Sequence, residues 1–414
     1  MSKIKVCDAI MGSGKSSAAI RYMNEHPENR YIYITPYKSE ADRIKDKCPE
    51  LNFVRPKHHV AEFTTELVEE KKNVATTHEA FKLYTNELKE LIRENEYVLI
   101  VDECIELLEE LTLSAGDLEE CIRSGRVSVD NGVVKLIDDS YNGTIQQLKK
   151  FYATMRCRDL MCFTGDDSRI LYYWILPADL LTAFKDVYIL TYMFEGQELS
   201  NMLKMYGIEY QYVYIERDDS GYMFTEDETV KYIPEYARSL KNKIHILDNE
   251  KMNAIGQTET ALSLSWYRNP ANESLVTQMK KNMVNFMNNM NKDESNSGNR
   301  MWSGFMETKS KLKGQGYAKS FVPFNARATN EYADKKYLAY VVNIYMNVSR
   351  KIYFMQNGID VDEDMFALSA MVQWIWRSAI RNGEDICLYV PSSRMRRLLI
   401  TWMDSLATGG VVCE

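Results

Sequence analysis

The sequence predicts an α/β protein of two parallel-sheet domains, with a largely helical insertion in the first. Three observations carry that expectation. Short apolar runs alternate with amphipathic stretches, the pattern of strands covered by helices on both faces. A glycine-rich loop follows the first apolar run and opens a helix. The 414 residues also exceed what one ordinary core holds, so domains are expected over 1–200 and 201–414.

The elements follow in order. "IKVCDAI" is a buried strand, and "SSAAIRYMNEH" a helix stopped by His26-Pro27. "RYIYITP" is the second strand and "YKSEADRIKDKC" the second helix. "NVATTHEAFKLYTNELKELI" is a strand end running into an amphipathic helix, and "YVLIVDEC" is another apolar strand, ending in carboxylates. Residues 106–185 break the rhythm and form the expected insertion. Within them Asp130-Asn131-Gly132 lies between two alternating runs, a hairpin signal. The sheet resumes with "DVYILTYMF". From about residue 200 a second α/β unit begins, with candidate strands "RMWSGFM", "KSFVPF", "RKIYFM" and "DICLYVP". Leu275, Met279, Met283, Phe286, Met287 and Met290 share one helical stripe, read as core.

The chemistry concentrates at two strand ends. Gly12-Ser13-Gly14-Lys15-Ser16-Ser17 has the composition of a phosphate-binding loop. Its backbone amides would face a phosphate at a helix N-terminus, Lys15 would reach the β- and γ-phosphates, and Ser16 would ligate Mg²⁺. Ala9 stands where such loops usually begin with glycine, a position that does not cradle the phosphate as closely as Gly12 and Gly14. The second strand end carries Asp102, placed to hold the metal, and Glu103, placed as general base for the attacking water. A nucleotide kinase needs no such glutamate. Together the motifs predict an ATP hydrolase using ATP and Mg²⁺.

The order of motifs resembles a superfamily 2 helicase or translocase of phage type, with two RecA-like domains. "AIMGSGKSS" is similar to that family's motif I and "VDEC" to its motif II. "YITPYKSEADRI" and "ATTHEAF" stand where its nucleic-acid track runs, which implies contacts by Thr35, Pro36, Lys38, Thr76 and Thr77. "LPADLLTAFKDVYILTYMF" is similar to the stretch ending in motif III, and "RMWSGFMETKSKLKG" and "GIDVDED" stand near motifs IV and V. "QWIWRSAIRNG" resembles motif VI. Gln373, Arg377 and Arg381, four apart, are expected on one helix face, with Arg377 or Arg381 as the arginine finger. Trp376 replaces that motif's glycine, and its arginines are one residue further apart than usual. In this family ATP binds between the two domains, and hydrolysis moves the chain along a strand.

Lys309 and Lys311 follow Trp302 and Phe305, and Arg327, Thr329 and Asn330 lie in an expected strand-end loop; these suit phosphate contacts. The resemblance favours DNA over RNA and phage replication or recombination as the setting. The insertion at 106–185 is a candidate wedge or protein-docking module.

The bulk numbers bound these readings. The net charge of −8 argues against a wholly nucleic-acid-coated surface but permits a local basic groove. Eight scattered cysteines form no CxxC pair, so neither a zinc site nor a disulfide framework is expected. No apolar run approaches the length of a membrane span, and the N-terminus leads straight into a strand, so a cytoplasmic location (a host's cytoplasm for a phage protein) is expected. The alternative is a phage packaging or protein-remodelling ATPase, for which Asp360, Asp362 and Asp364 would be the nuclease-type cluster.

Overall fold

A computed structural model describes residues 3–138, 140–165, 169–230, 232–290, 297–326 and 331–408. The chain divides into two units. The first comprises Met1–Ala9, Gly14–Tyr232 and Asn347–Val361; the second comprises Ile10–Ser13, Ile233–Met346 and Asp362–Glu414.

In the first unit, β1 (Lys3–Asp8), β2 (Arg30–Thr35), β3 (Val74–Thr77) and β4 (Tyr97–Asp102) precede the insertion. The insertion contributes β5 (Glu109–Glu110), β6 (Val127–Asp130), β7 (Val133–Leu136), β8 (Asp159–Thr164) and β9 (Ile170–Ile175). β10 (Asp186–Thr191) and β11 (Tyr210–Tyr212) rejoin the first sheet, and β12 (Tyr214–Asp218) pairs with β13 (Gly221–Thr225) as a hairpin. The main sheet has the order β11-β1-β10-β4-β2-β3, with every pair parallel.

Such a sheet is buried on both faces, which is why its strands read as near-continuous apolar runs. Tyr97 through Val101 of β4 are all buried. One face packs Ala18, Ala19 and Met23 of helix Lys15–Glu25, and Ala41 and Ile44 of helix Lys38–Lys47, against Tyr31, Tyr33, Ile100 and Tyr188. Because the strands are parallel, Asp8, Thr35, Thr77, Asp102 and Thr191 end along one edge.

The insertion differs from the expected helical module. Its helices Ala115–Arg123 and Gln146–Met155 exist, but they lie on a five-stranded antiparallel sheet of order β5-β9-β8-β7-β6. Leu118, Phe151, Tyr152, Leu160 and Trp174 give it a core of its own. The physical reason lies in β8 and β9. "DLMCFT" and "ILYYWI" are dense in aromatic and aliphatic groups that suit a pleated surface. The expected hairpin is present: Asp130 pairs with Val133 across Asn131 (φ 49°) and Gly132 (φ 78°), the two left-handed residues a tight hairpin turn requires.

The second unit holds β14 (Ile244–Ile246), β15 (Arg300–Ser303), β16 (Tyr337–Tyr340) and β17 (Ile386–Tyr389), all parallel in the order β14-β17-β16-β15. Met279, Met283, Phe286 and Met287 of the expected stripe lie in its core, whereas Leu275 and Met290 reach solvent. "KSFVPF" supplies only a bridge from Phe321 to Trp302.

"RKIYFM" is not a strand. It lies in helix Val348–Gln356, where the Asn347 side chain accepts from the Ser349 and Arg350 amides and left-handed Gly358 follows the end. Capping at both ends outweighs the short apolar run. That helix belongs to the first unit, where Arg350 pairs with buried Glu198 and the Tyr353 ring lies 5.2 Å from that of Phe163.

Candidate functional site

The loop between β1 and helix Lys15–Glu25 is built on two left-handed glycines, Gly12 (φ 79°) and Gly14 (φ 93°). A side chain at either would strain the turn. Gly14 is the N-cap of the helix, no side chain caps that end, and no acidic residue lies in its first turn. The first amides of the helix are thus left to an anion, and the helix dipole adds positive potential there. Ser13 is buried, and among the described residues its hydroxyl has no hydrogen-bond partner. Ser17 faces outward on the first turn.

The Ser16 hydroxyl lies 3.1 and 3.2 Å from the two carboxylate oxygens of Asp102, so the loop and the end of β4 meet. The Tyr33 hydroxyl donates to Asp102 Oδ2 at 2.6 Å, and His78 Nε2 lies 3.0 Å from the Asp102 carbonyl oxygen. Burial raises the Asp102 pKa, while the Tyr33 and Ser16 hydroxyls, Arg43 and Lys15 pull the other way. Burial lowers the Lys15 pKa, against the attraction of Cys7, Asp8, Asp102 and Glu103. The Lys15 ammonium donates to the Ala9 carbonyl, which holds the side chain back along its own loop.

Glu103 follows Asp102 with φ 66°, a conformation unusual for a glutamate, and its amide donates to Leu190 of β10 at 2.9 Å. Asp8 closes the other side, accepting from the Met193 and Phe194 amides at 2.8 and 2.9 Å. The end of β10, the stretch similar to motif III, is therefore tied to the strand that feeds the loop.

These residues fit a magnesium nucleotide. The glycine cradle, the unpartnered Ser13 hydroxyl and the uncapped helix end suit phosphate oxygens. Ser16 and Asp102 are hard oxygen donors side by side, the set Mg²⁺ takes. Among the described residues, no group of three or more His, Cys, Asp and Glu side chains is arranged to hold a metal by itself.

The other expected residues divide. Thr35, Pro36 and Lys38 follow β2, and Thr76 and Thr77 end β3, on the same sheet edge as the loop. The Thr35 hydroxyl is buried with no hydrogen-bond partner among the described residues, and Thr76 is also buried. Thr77 accepts from the Ala80 amide and caps the next helix.

In the second unit the expected common face of Gln373, Arg377 and Arg381 is not formed. The helix runs Glu363–Ile375 and stops, because the Arg377 and Ser378 amides bond three residues back and Ser378 turns extended (ψ −171°). Gln373 sits on the helix and donates to Ser369, Arg377 is buried after its end, and Arg381 lies on a separate short helix Ala379–Asn382.

Lys311 pairs with Glu273 at 2.9 Å, and the Lys309 ammonium lies 4.5 Å over the Phe321 ring. Arg327, Thr329 and Asn330 lie outside the described residues. Asp362 caps the Glu363–Ile375 helix and Asp364 pairs with buried Arg394, so both carboxylates have structural work. Sequence reasoning missed Tyr33, which had only its place in the apolar run "RYIYIT" to mark it.

The fold and this edge define the class: an α/β protein of two parallel-sheet units, with a glycine loop opening a helix beside a strand-end aspartate. The chain belongs to the YonV family. It is 37% identical over 421 residues to the SPbeta prophage-derived protein YonV of Bacillus subtilis (strain 168), covering 98% of this chain and 100% of that one. A family model for the YonV C-terminal Rossmann-like domain matches residues 238–403. The chain is also similar, more distantly, to solved XPD structures. An XPD helicase is 10% identical (TM-score 0.45, 99% of this chain and 95% of that one). An apo XPD is 11% identical (TM-score 0.48, 96% and 95%). Xpd4 of S. tokodaii is 12% identical (TM-score 0.44, 96% and 93%).

Proposed function

We propose that this protein is an ATP-dependent nucleic-acid motor, a helicase or translocase acting on DNA in preference to RNA. The observation that carries the reading is the Ser16 hydroxyl at 3.1 Å from the Asp102 carboxylate, at the N-terminus of a helix opened by two left-handed glycines. Bound magnesium ATP would supply the scissile phosphoryl group and neutralise its charge. Residues 12–17 would bind the phosphates through their amides, and Ser16 and Asp102 would hold the metal. Lys15 would leave the Ala9 carbonyl for the phosphate oxygens. Glu103, fixed by its amide bond to β10, would orient the attacking water and take its proton. Arg377 or Arg381 would act as the finger.

Thr35, Lys38 and the Thr76-Thr77 strand end share the sheet edge with the loop, which supports a polymer track coupled to the nucleotide state. The prophage origin of the Bacillus relative supports a phage setting for replication or recombination. The packaging alternative is disfavoured by the structural employment of Asp362 and Asp364.

The test is ATP turnover with and without single-stranded DNA, duplex DNA and RNA, in the wild type and in Arg377→Ala and Arg381→Ala. A motor is stimulated many-fold by its polymer, and one arginine variant loses hydrolysis while still binding ATP. Turnover indifferent to every polynucleotide would sink the motor reading and favour protein remodelling.

A further inference from the structure

The β12–β13 hairpin packs on the helix that follows the phosphate loop. It is pinned there by Arg21, which pairs with Asp218 at 2.8 Å, and by Phe224, whose ring stacks on Tyr188 at 5.2 Å. This fixes where the hairpin holds Tyr222. The ring of Tyr222 lies against Gly14, so closely that a Cβ on that glycine would run into three ring atoms. Tyr232 meets the same ring edge-on at 5.6 Å, and the Arg217 guanidinium reaches it at 5.5 Å.

Tyr222 is nonetheless only partly covered, and Arg217 is exposed. The result is an aromatic surface braced by a second ring, open to solvent, and touching the glycine that begins the helix. An aromatic ring in that state attracts another flat π-system, and each stacked base is typically worth a large factor in affinity.

We propose that Tyr222, braced by Tyr232 and attended by Arg217, is the seat for the nucleobase of the nucleotide bound at the phosphate loop. This rests on the nucleotide reading above. Stacking recognises a flat ring rather than its hydrogen-bonding edge, so the seat favours purines for their area and separates adenine from guanine only weakly.

The test is calorimetric titration of the full chain with magnesium ATP and with magnesium tripolyphosphate, which has no base. Tyr222→Ala should weaken ATP binding by about ten-fold or more and leave tripolyphosphate binding unchanged. Tyr222→Phe should bind both as the wild type does. An equal loss for both ligands would mean that the ring only props the loop, and tighter ATP binding by Tyr222→Ala would mean that it obstructs the site; either overturns the proposal. Unchanged ATP affinity overturns it too, while leaving the nucleotide site standing. A wild type that binds neither ligand would remove the nucleotide reading itself.

Discussion

The Asp102 carboxylate receives the Tyr33 hydroxyl at 2.6 Å and the Ser16 hydroxyl at 3.1 Å, yet burial still holds its pKa above the usual carboxylate value. A group whose folded pKa is raised costs stability when it is charged. The cost is fully present above the folded pKa and is relieved as pH falls through it. Asp102→Asn should therefore raise the melting temperature at pH 7, and the gain should shrink as the pH is lowered into the carboxylate range. The same variant should lose magnesium-dependent hydrolysis, the trade expected where a site stores strain for function. Scanning fluorimetry across pH, beside turnover assays, checks both halves. A lower melting temperature at pH 7 would contradict the buried-charge account. Glu103→Gln separates chemistry from binding: ATP affinity should hold, while single-turnover hydrolysis falls by about 10²-fold or more.

At the scale of elements, Gly132 and Gly116 lie in one module under opposite constraints. Gly132 has φ 78°, and a Cβ there would sit 3.1 Å from the Cys162 carbonyl oxygen of the neighbouring strand. Gly116 is in a helix with open space around it. Gly132→Ala should destabilise the insertion by roughly 1–2 kcal/mol, and Gly116→Ala should stabilise it by about 0.5 kcal/mol. Hydrogen-exchange protection of the insertion's amides would show the opposite signs.

These elements also mark what was legible in the sequence. The Asp-Asn-Gly turn, the glycine loop and the apolar strands announce themselves because each is governed by local backbone chemistry. The break after Ile375 is different. Trp374, Ile375, Trp376 and the residues after them carry no proline or glycine until Gly383, so nothing local forbade one helix through Arg381. The strand-like "RKIYFM" was decided by Asn347 and Gly358 outside the run. The meeting of Ser16 with Asp102 was expected from motif order. The close approach of Tyr222 to Gly14 was not, since it depends on a hairpin far downstream in the chain.

At the scale of the whole molecule, the insertion is joined to the first unit in a way that permits its removal. Its two connections leave side by side, with Glu109 opposite Trp174 and Glu110 opposite Tyr173 in an antiparallel pair. It also carries its own core, separate from that of the parallel sheet. At the junction, Glu198 receives the Leu107 and Leu108 amides at 3.3 and 3.4 Å and pairs with Arg350, all outside residues 111–172. Arg158, within it, donates to the Leu107 and Trp174 carbonyls at 3.3 Å, and those bonds would be lost. The Phe163 ring against Tyr353 and the Gln356 bond to the Thr164 carbonyl would go with them. Replacing residues 111–172 by an Asn-Gly turn should therefore lower the melting temperature by a few degrees, roughly what a loss of about 1–2 kcal/mol produces, and leave the parallel sheet folded. ATP turnover without polynucleotide should stay within about twofold, because no loop or strand-end residue of the site lies in the excised segment. If the module is the wedge, strand separation falls away while polymer-stimulated turnover persists. If it docks a protein, both persist in the isolated chain. Loss of basal turnover would mean that the antiparallel sheet is part of the framework of the proposed nucleotide site.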